Sequence, residues 1–216
     1  QKMARKEFAV FGLGEFGRSV ALTLAKNGCE VMAIDSSSEK VQDIADSVTH
    51  AVKADATDMD VVRSLGLNNL DAAGIAIGNN LEASIMATII SKECGVPYVL
   101  AKASNDIHAA VLRKVGADEI IYPEKAMGVR TARNLMSGNF LDFIELSKSF
   151  SMVEITPPPS WVGKSLRELD LRKKGLNVIA CKQGDNVITQ LDPDTVLREG
   201  DDFIIVGQNE ALNRIK

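Results

Sequence analysis

Histidine is almost missing from this chain of 216 residues: His50 and His108 are the only two. Neither has a serine, cysteine or metal-ligating side chain at a useful spacing. Both therefore read as structural, which removes the commonest general base from any catalytic scheme. Cysteine is nearly as scarce. Cys29, Cys94 and Cys181 are odd in number and far apart, which argues against a disulfide framework or a zinc site and for a reducing cytosol. Each lies in or beside an apolar stretch and is expected in a core. No apolar run approaches the roughly 18 residues that a bilayer requires. No signal peptide is expected, and the opening Q-K-M-A-R-K is expected to be an addition ahead of a start at Met3. Positive charge is not in excess either. A net charge of −4 with scattered Lys and Arg leaves no nucleic-acid footprint.

What is present begins with glycine. Phe8 to Gly17 reads F-A-V-F-G-L-G-E-F-G, an apolar strand running into the glycine spacing of a dinucleotide-binding turn. Gly12 allows the tight bend, Gly14 lets a pyrophosphate approach the main chain, and Gly17 lets the following helix pack close to the strand. The helix N-terminus then offers free N–H groups to an anion. Glycines punctuate many turns, so the motif alone is weak. Context strengthens it: Glu30 to Ile34 reads as a second strand and ends in Asp35, where a carboxylate can take ribose hydroxyls.

One rhythm continues to about residue 136. Apolar runs at 8–12, 30–34, 50–54, 72–77, 98–101 and 119–122 alternate with helical stretches at 16–27, 39–46, 58–65, 80–94, 105–115 and 124–136. Such alternation predicts a six-stranded, doubly wound parallel sheet of Rossmann type. In the helix over 80–94, Leu81, Ile85 and Ile89 form the predicted apolar stripe, with Met86 and Ile90 beside it. Asn79 or Asn80 caps its start. We expect the nucleotide-binding domain over 6–136, an apolar connecting segment over 137–150 (N-F-L-D-F-I-E-L at its centre) and a small α+β lobe over 151–216. In that lobe Met152 to Thr156 reads as a strand ended by three prolines. Ser165 and Glu168 form a capping box, and strands follow at 177–182, 187–191 and 202–206 with a hairpin near Gly184-Asp185. With few apolar residues available, the lobe is expected to be dimeric.

In a doubly wound sheet the ligand crevice opens between the first and fourth strands. Gly12 to Gly17 would there face Gly78-Asn79-Asn80, which supplies either ligand contacts or only a helix cap. Asp55-Ala56-Thr57 follows the third strand, where Ala56 leaves room for an adenine or simply makes a turn. Lys102 closes the fifth strand, either near phosphates or in solvent. Two partial motifs fail. G-L-G-E-F-G-R-S has Arg18 where a P-loop needs lysine, and no strand ending in a metal-binding Asp follows. Tyr98 and Lys102 spell Y-x-x-x-K on a strand, about 13 Å apart and too far for one proton relay.

K-E-F-A-V-F-G-L-G-E-F-G, A-I-G-N-N-L-E-A-S, K-V-G-A-D-E-I-I-Y-P-E-K-A-M-G and V-G-K-S-L-R-E-L-D-L-R-K-K-G-L-N-V-I-A together resemble the RCK (KTN, TrkA-type) gating subunits of bacterial potassium uptake systems, Ktr-type members above all. The resemblance covers nearly the whole chain. It implies a cytoplasmic regulatory protein, not an enzyme, held at the inner face of the membrane by a potassium-translocating subunit of the KtrB or TrkH type. Dimers would assemble into an octameric ring whose shape changes with ATP or ADP. By resemblance, Gly12, Gly14, Glu15, Phe16, Gly17, Asp35, Ser36, Asp55, Ala56, Asn79 and Lys102 would surround the nucleotide. Glu124 would bind a divalent cation or Na+ near the phosphates. Leu166, Leu171, Arg172, Asn177, Val178, Ile179 and Pro193 would meet cyclic di-AMP at a dimer seam.

One position departs from the family. Ktr-type members commonly carry arginine where this chain has Glu15, and a carboxylate about 6 Å from a phosphate charge costs roughly 3 kcal/mol at an effective dielectric near 20. Discrimination between ATP and ADP is thereby put in question, and NADH joins the expected ligands. NADP does not, because Asp35 repels a 2′-phosphate and no arginine follows it. The alternatives are an NAD-dependent oxidoreductase or a nucleotide-binding scaffold without a membrane partner.

Overall fold

A computed structural model of the chain describes residues 5–137 and 140–215; the expected start at Met3 lies outside them. The chain forms two compact units, Gln1–Glu124 and Lys125–Lys216.

The first unit is built on six parallel strands: β1 (Glu7–Phe11), β2 (Glu30–Asp35), β3 (His50–Lys53), β4 (Ala72–Ile75), β5 (Val99–Lys102) and β6 (Glu119–Ile121). They are ordered β3-β2-β1-β4-β5-β6, so strand order reverses between β1 and β4. The strands are connected through α1 (Glu15–Lys26), α2 (Ser38–Ile44), α3 (Met59–Ser64), α4 (Leu81–Glu93) and α5 (Asp106–Lys114). Helices cover both faces because successive strand residues point to opposite sides. Ala9 and Phe11 of β1 join a cluster with Ile34, Leu67, Ile75, Ile90 and Leu112. Val10 between them joins Leu13, Ala21, Val31 and Ile44. Burying a large aliphatic side chain contributes about 1.5–3 kcal/mol, so the two-faced core carries most of the stabilisation.

The helix predicted over 80–94 packs differently from the expected stripe. Its buried residues are Ala83, Ser84, Ala87, Thr88, Ile90 and Ser91, while Leu81 is exposed and Ile85, Met86 and Ile89 are half-buried. Small side chains let α4 lie close against its neighbours, and the Thr88 and Ser91 hydroxyls donate to carbonyls one turn back, which makes them acceptable in the interior. The stretch expected as helix over 39–46 ends at Ile44, with a tighter 3-10 turn over Ala45–Ser47.

α6 (Pro123–Ser137) begins in the first unit and carries the chain into the second. There β7 (Phe140–Glu145), β8 (Phe150–Ile155), β9 (Leu176–Gln183), β10 (Asn186–Ile188) and β11 (Asp202–Gln208) form an antiparallel sheet ordered β10-β9-β11-β8-β7. The apolar run near residue 140 is thus an edge strand bonded to β8. Val153, Ile155, Leu176, Leu197, Phe203 and Ile205 make this unit's own core. The capping box is present: Ser165 Oγ accepts from the Glu168 amide, and the Glu168 carboxylate accepts from the Ser165 amide, at the start of α7 (Leu166–Leu169). α8 (Asn209–Leu212) closes the unit. The strand expected over 187–191 stops at Ile188, and Leu191 packs against the core instead.

Candidate functional site

A cavity of about 470 Å³ opens at the carboxyl ends of the parallel strands, at the reversal between β1 and β4 where such sheets bind ligands. Its wall includes Gly12, Gly14, Glu15, Phe16, Asp35, Ser36, Asp55, Ala56, Asn79, Lys102 and Glu124. Of the residues expected around a nucleotide, Gly17 alone does not line it; Gly17 is buried beneath, in α1. The turn is built as its sequence requires. The Gly12 amide donates to the Ile34 carbonyl at 2.8 Å, and Gly12 adopts φ +89°, a left-handed conformation that favours glycine. Gly14 is the N-cap of α1 and offers no side chain to cap it, so the first amides of the helix stay available for an anion.

Asp35 ends β2 and is anchored by main chain. Its Oδ2 accepts from the Leu13 amide at 2.7 Å and its Oδ1 from the Ser37 amide at 2.8 Å. Lys40 Nζ lies 3.6 Å from Oδ2. Asp55 is organised by Thr57, whose amide and hydroxyl donate to Oδ1 at 2.9 and 2.8 Å; these bonds hold its carboxyl below the usual carboxylate range. Across the cavity Asn80 caps α4 by accepting from the Ala83 amide at 3.0 Å. That assigns the cap to Asn80 and leaves Asn79 at the wall.

Lys102 reaches into the cavity rather than into water, with 14% of its side chain exposed, and it forms an ion pair with Glu124, which is 70% exposed. The lysine draws the Glu124 carboxyl below its ordinary value. Among the described residues no three or more His, Cys, Asp or Glu side chains cluster as a metal site. A cation at Glu124 would accordingly have to complete its shell with oxygens of a bound ligand.

Sequence reasoning missed several contributors, of which three are informative. Lys40 lines the wall, a cation five positions beyond Asp35 in the helix that starts after Ser37; the expectation had looked only for arginine. Phe11 and Ile77 supply apolar wall and looked like ordinary strand residues. Arg18, one turn beyond Glu15, is not part of the wall.

Tyr98 bonds Glu119 while Lys102 bonds Glu124, so the Y-x-x-x-K pair serves separate partners at opposite ends of β5. His108 is buried with Nε2 3.2 Å from Ser84 Oγ and Nδ1 3.2 Å from Ser104 Oγ. The two serines are partners that spacing did not reveal. With Ser84 and His108 both fully enclosed, no substrate reaches them.

In the second unit a smaller cavity, about 250 Å³, is lined by Leu166, Leu171, Arg172, Asn177, Val178 and Pro193 together with Arg167, Asp170, Leu176 and Leu191. Ile179 was expected there and is not part of it. The register against β11 passes from Ala180 to Val178, so a bulge leaves Ile179 unpaired and turns it to solvent.

Residues 8–123 match the TrkA-N domain and residues 150–216 the TrkA-C domain. The chain is 44% identical over 213 residues to Ktr system potassium uptake protein C of Bacillus subtilis, covering 98% of this chain and 96% of that one. It is 39% identical over 216 residues to Ktr system potassium uptake protein A of the same organism, covering 100% and 97%. Among solved structures, the GsuK channel bound to NAD superposes with a TM-score of 0.64 at 17% identity, over 98% of this chain and 39% of the channel. The chain thus spans about two fifths of the channel, and the likeness is one of fold.

Proposed function

This chain belongs to the family of TrkA-N and TrkA-C domain proteins that includes the Ktr potassium uptake proteins, and from that premise we propose that it is a nucleotide-sensing regulatory subunit that gates a membrane potassium-translocating partner. One observation carries the reading: the cavity at the strand reversal gathers Gly12 and Gly14, Asp35, Ala56, Asn79 and Lys102 in one wall. Adenine fits beside Ala56, ribose hydroxyls at Asp35, and phosphates at the amides after Gly14 and the Lys102 ammonium. ADP and ATP are the proposed ligands, with NADH as a further one. Glu15 in the same wall disfavours a γ-phosphate beside it, which narrows the ATP–ADP difference. A divalent cation or Na+ would bridge Glu124 and the phosphates.

The nucleotide is sensed, not consumed. Its free energy acts by differing affinity for two shapes of a homo-oligomeric ring, an octamer assembled from dimers, at the cytoplasmic face of the membrane. Cyclic di-AMP is the proposed ligand at the dimer seam of the second unit, beside the cavity lined by Leu166, Leu171 and Arg172. The test is calorimetric titration of the full chain with ADP, ATP, AMP and NADH, followed by potassium flux through vesicles carrying the partner. Saturable binding and nucleotide-dependent flux are expected. Absence of binding at millimolar concentration, or flux indifferent to nucleotide, would overturn the proposal.

A further inference from the structure

The ion pair between Lys102 and Glu124 is lopsided. The Lys102 side chain is largely withdrawn into the cavity wall, whereas most of the Glu124 side chain faces water. A side chain begun at Gly78 would meet Lys102 Nζ at 3.5 Å, so the lysine runs against the loop opposite the glycine turn. Withdrawing a cation from water is costly unless an anion accompanies it, and among the described residues Glu124 is the anion paired with it. The two partners differ in how they can leave. Moving Lys102 out requires repacking the wall. Turning Glu124 into solvent requires only a rotation of a side chain already mostly hydrated.

We propose that Glu124 is an internal stand-in for a ligand phosphate: it neutralises Lys102 in the nucleotide-free protein and yields that place when a phosphate enters. The inference rests on the nucleotide reading above and adds a regulatory consequence. Phosphorylated adenine ligands must displace Glu124, whereas adenosine need not, so the pair sets a threshold specific to phosphate. The released carboxylate is the second residue of α6. It becomes available to a cation only after the phosphate has taken Lys102, which makes cation binding conditional on nucleotide.

The test uses the full chain in chelator and sodium-free buffer, so that neither a divalent cation nor Na+ bridges Glu124 to the ligand. ADP and adenosine are titrated against wild type, Glu124→Gln, Lys102→Met and the double variant. Glutamine keeps the shape of an exposed side chain and removes its charge. Glu124→Gln is expected to tighten ADP about fivefold, the order of one partly exposed ion pair, and to leave adenosine within twofold. In the Lys102→Met background the same change is expected to give no gain. A gain that persists without Lys102 would show only a general repulsion by the carboxylate and overturn the exchange. Equal gains for ADP and adenosine, or none, would also overturn it. If wild type binds neither ligand, the nucleotide reading falls and the exchange with it. Should Lys102→Met fail to fold, Lys102→Arg serves: it keeps the cation, and the gain from Glu124→Gln must return.

Discussion

A methyl carbon built on Gly17 would stand 1.8 Å from the carbonyl oxygen of Gly12. Nothing would lie within 4 Å of one built on Gly14. Two glycines of one motif therefore have unrelated reasons to be glycine, one internal and one directed at the cavity. Gly17→Ala forces main chain apart, and overpacking of that kind costs about 3 kcal/mol, the upper end for such changes. Gly14→Ala costs no more than about 1 kcal/mol as a change of N-cap. It places a methyl where a pyrophosphate would lie against the amides, so ADP affinity falls about tenfold, the worth of one lost charge-assisted hydrogen bond. Urea unfolding and calorimetry on both variants check the pair. Equal stability of the two would contradict the packing assigned to Gly17.

Asp35 also organises the loop around it. Its two oxygens already accept from the Leu13 and Ser37 amides, and an ionised carboxylate has about four acceptor sites, so ribose hydroxyls would share it with the loop. Asp35→Asn keeps the shape but turns an amide donor toward one of those N–H groups. The expected result is a loss of about 1–3 kcal/mol of stability together with loss of ADP affinity. A variant that bound weakly at wild-type stability would mean that the two main-chain bonds are unimportant.

A pH dependence follows from His108. The Ser104 amide donates to Nδ1 at 3.3 Å, so Nδ1 is the acceptor and the ring hydrogen sits on Nε2, toward Ser84. Protonating Nδ1 would set two donors face to face. Burial holds the pKa below the ordinary histidine value of 6.5, and no charged group contributes to that shift. The unfolded chain therefore binds a proton that the native chain does not as pH falls below 6.5. Unfolding takes up that proton, and stability declines with falling pH from about 6.5 toward the lowered native value. His108→Gln is expected to flatten the urea midpoint across that window. An unchanged slope would mean that other groups produce it.

Much of the first unit was legible because its signals are local. Strand runs end at the sheet's carboxyl edge, and Gly12, Gly14, Asp35 and Ala56 each end a strand or follow one within three residues, so the parallel topology alone brings them together. What stayed hidden was set by tertiary neighbours. The buried face of α4 uses Ala83, Ser84 and Ala87, because close approach favours small residues over the apolar stripe that periodicity selects. The wall contact of Lys40, the serines around His108 and the pairing of Lys102 with Glu124 join residues whose separation in sequence carries no pattern. Ile179 lies outside the second-unit cavity because of a single bulge, since one inserted residue reverses which side of a strand faces the cavity.

The second-unit cavity gives a prediction on charge. Arg167 is already committed, its guanidinium bonded to both oxygens of Asp194 at 2.7 and 3.2 Å, whereas Arg172 makes no ion pair among the described residues. Asp170 lines the same cavity but is partly neutralised by Lys173 at 2.6 Å. A ligand with two phosphates should therefore depend on Arg172 and be opposed weakly by Asp170. Arg172→Ala is expected to weaken cyclic di-AMP about tenfold, the worth of a hydrogen bond to a charged group, and Asp170→Asn to strengthen it about two- to threefold, as a screened like charge is removed. Ile179→Ala, outside the cavity, is expected to leave binding unchanged. Calorimetry on the full chain reads all three. A larger loss from Ile179→Ala than from Arg172→Ala would mean that the ligand sits on the outer face of β9, and that the cavity is part of the core and nothing more.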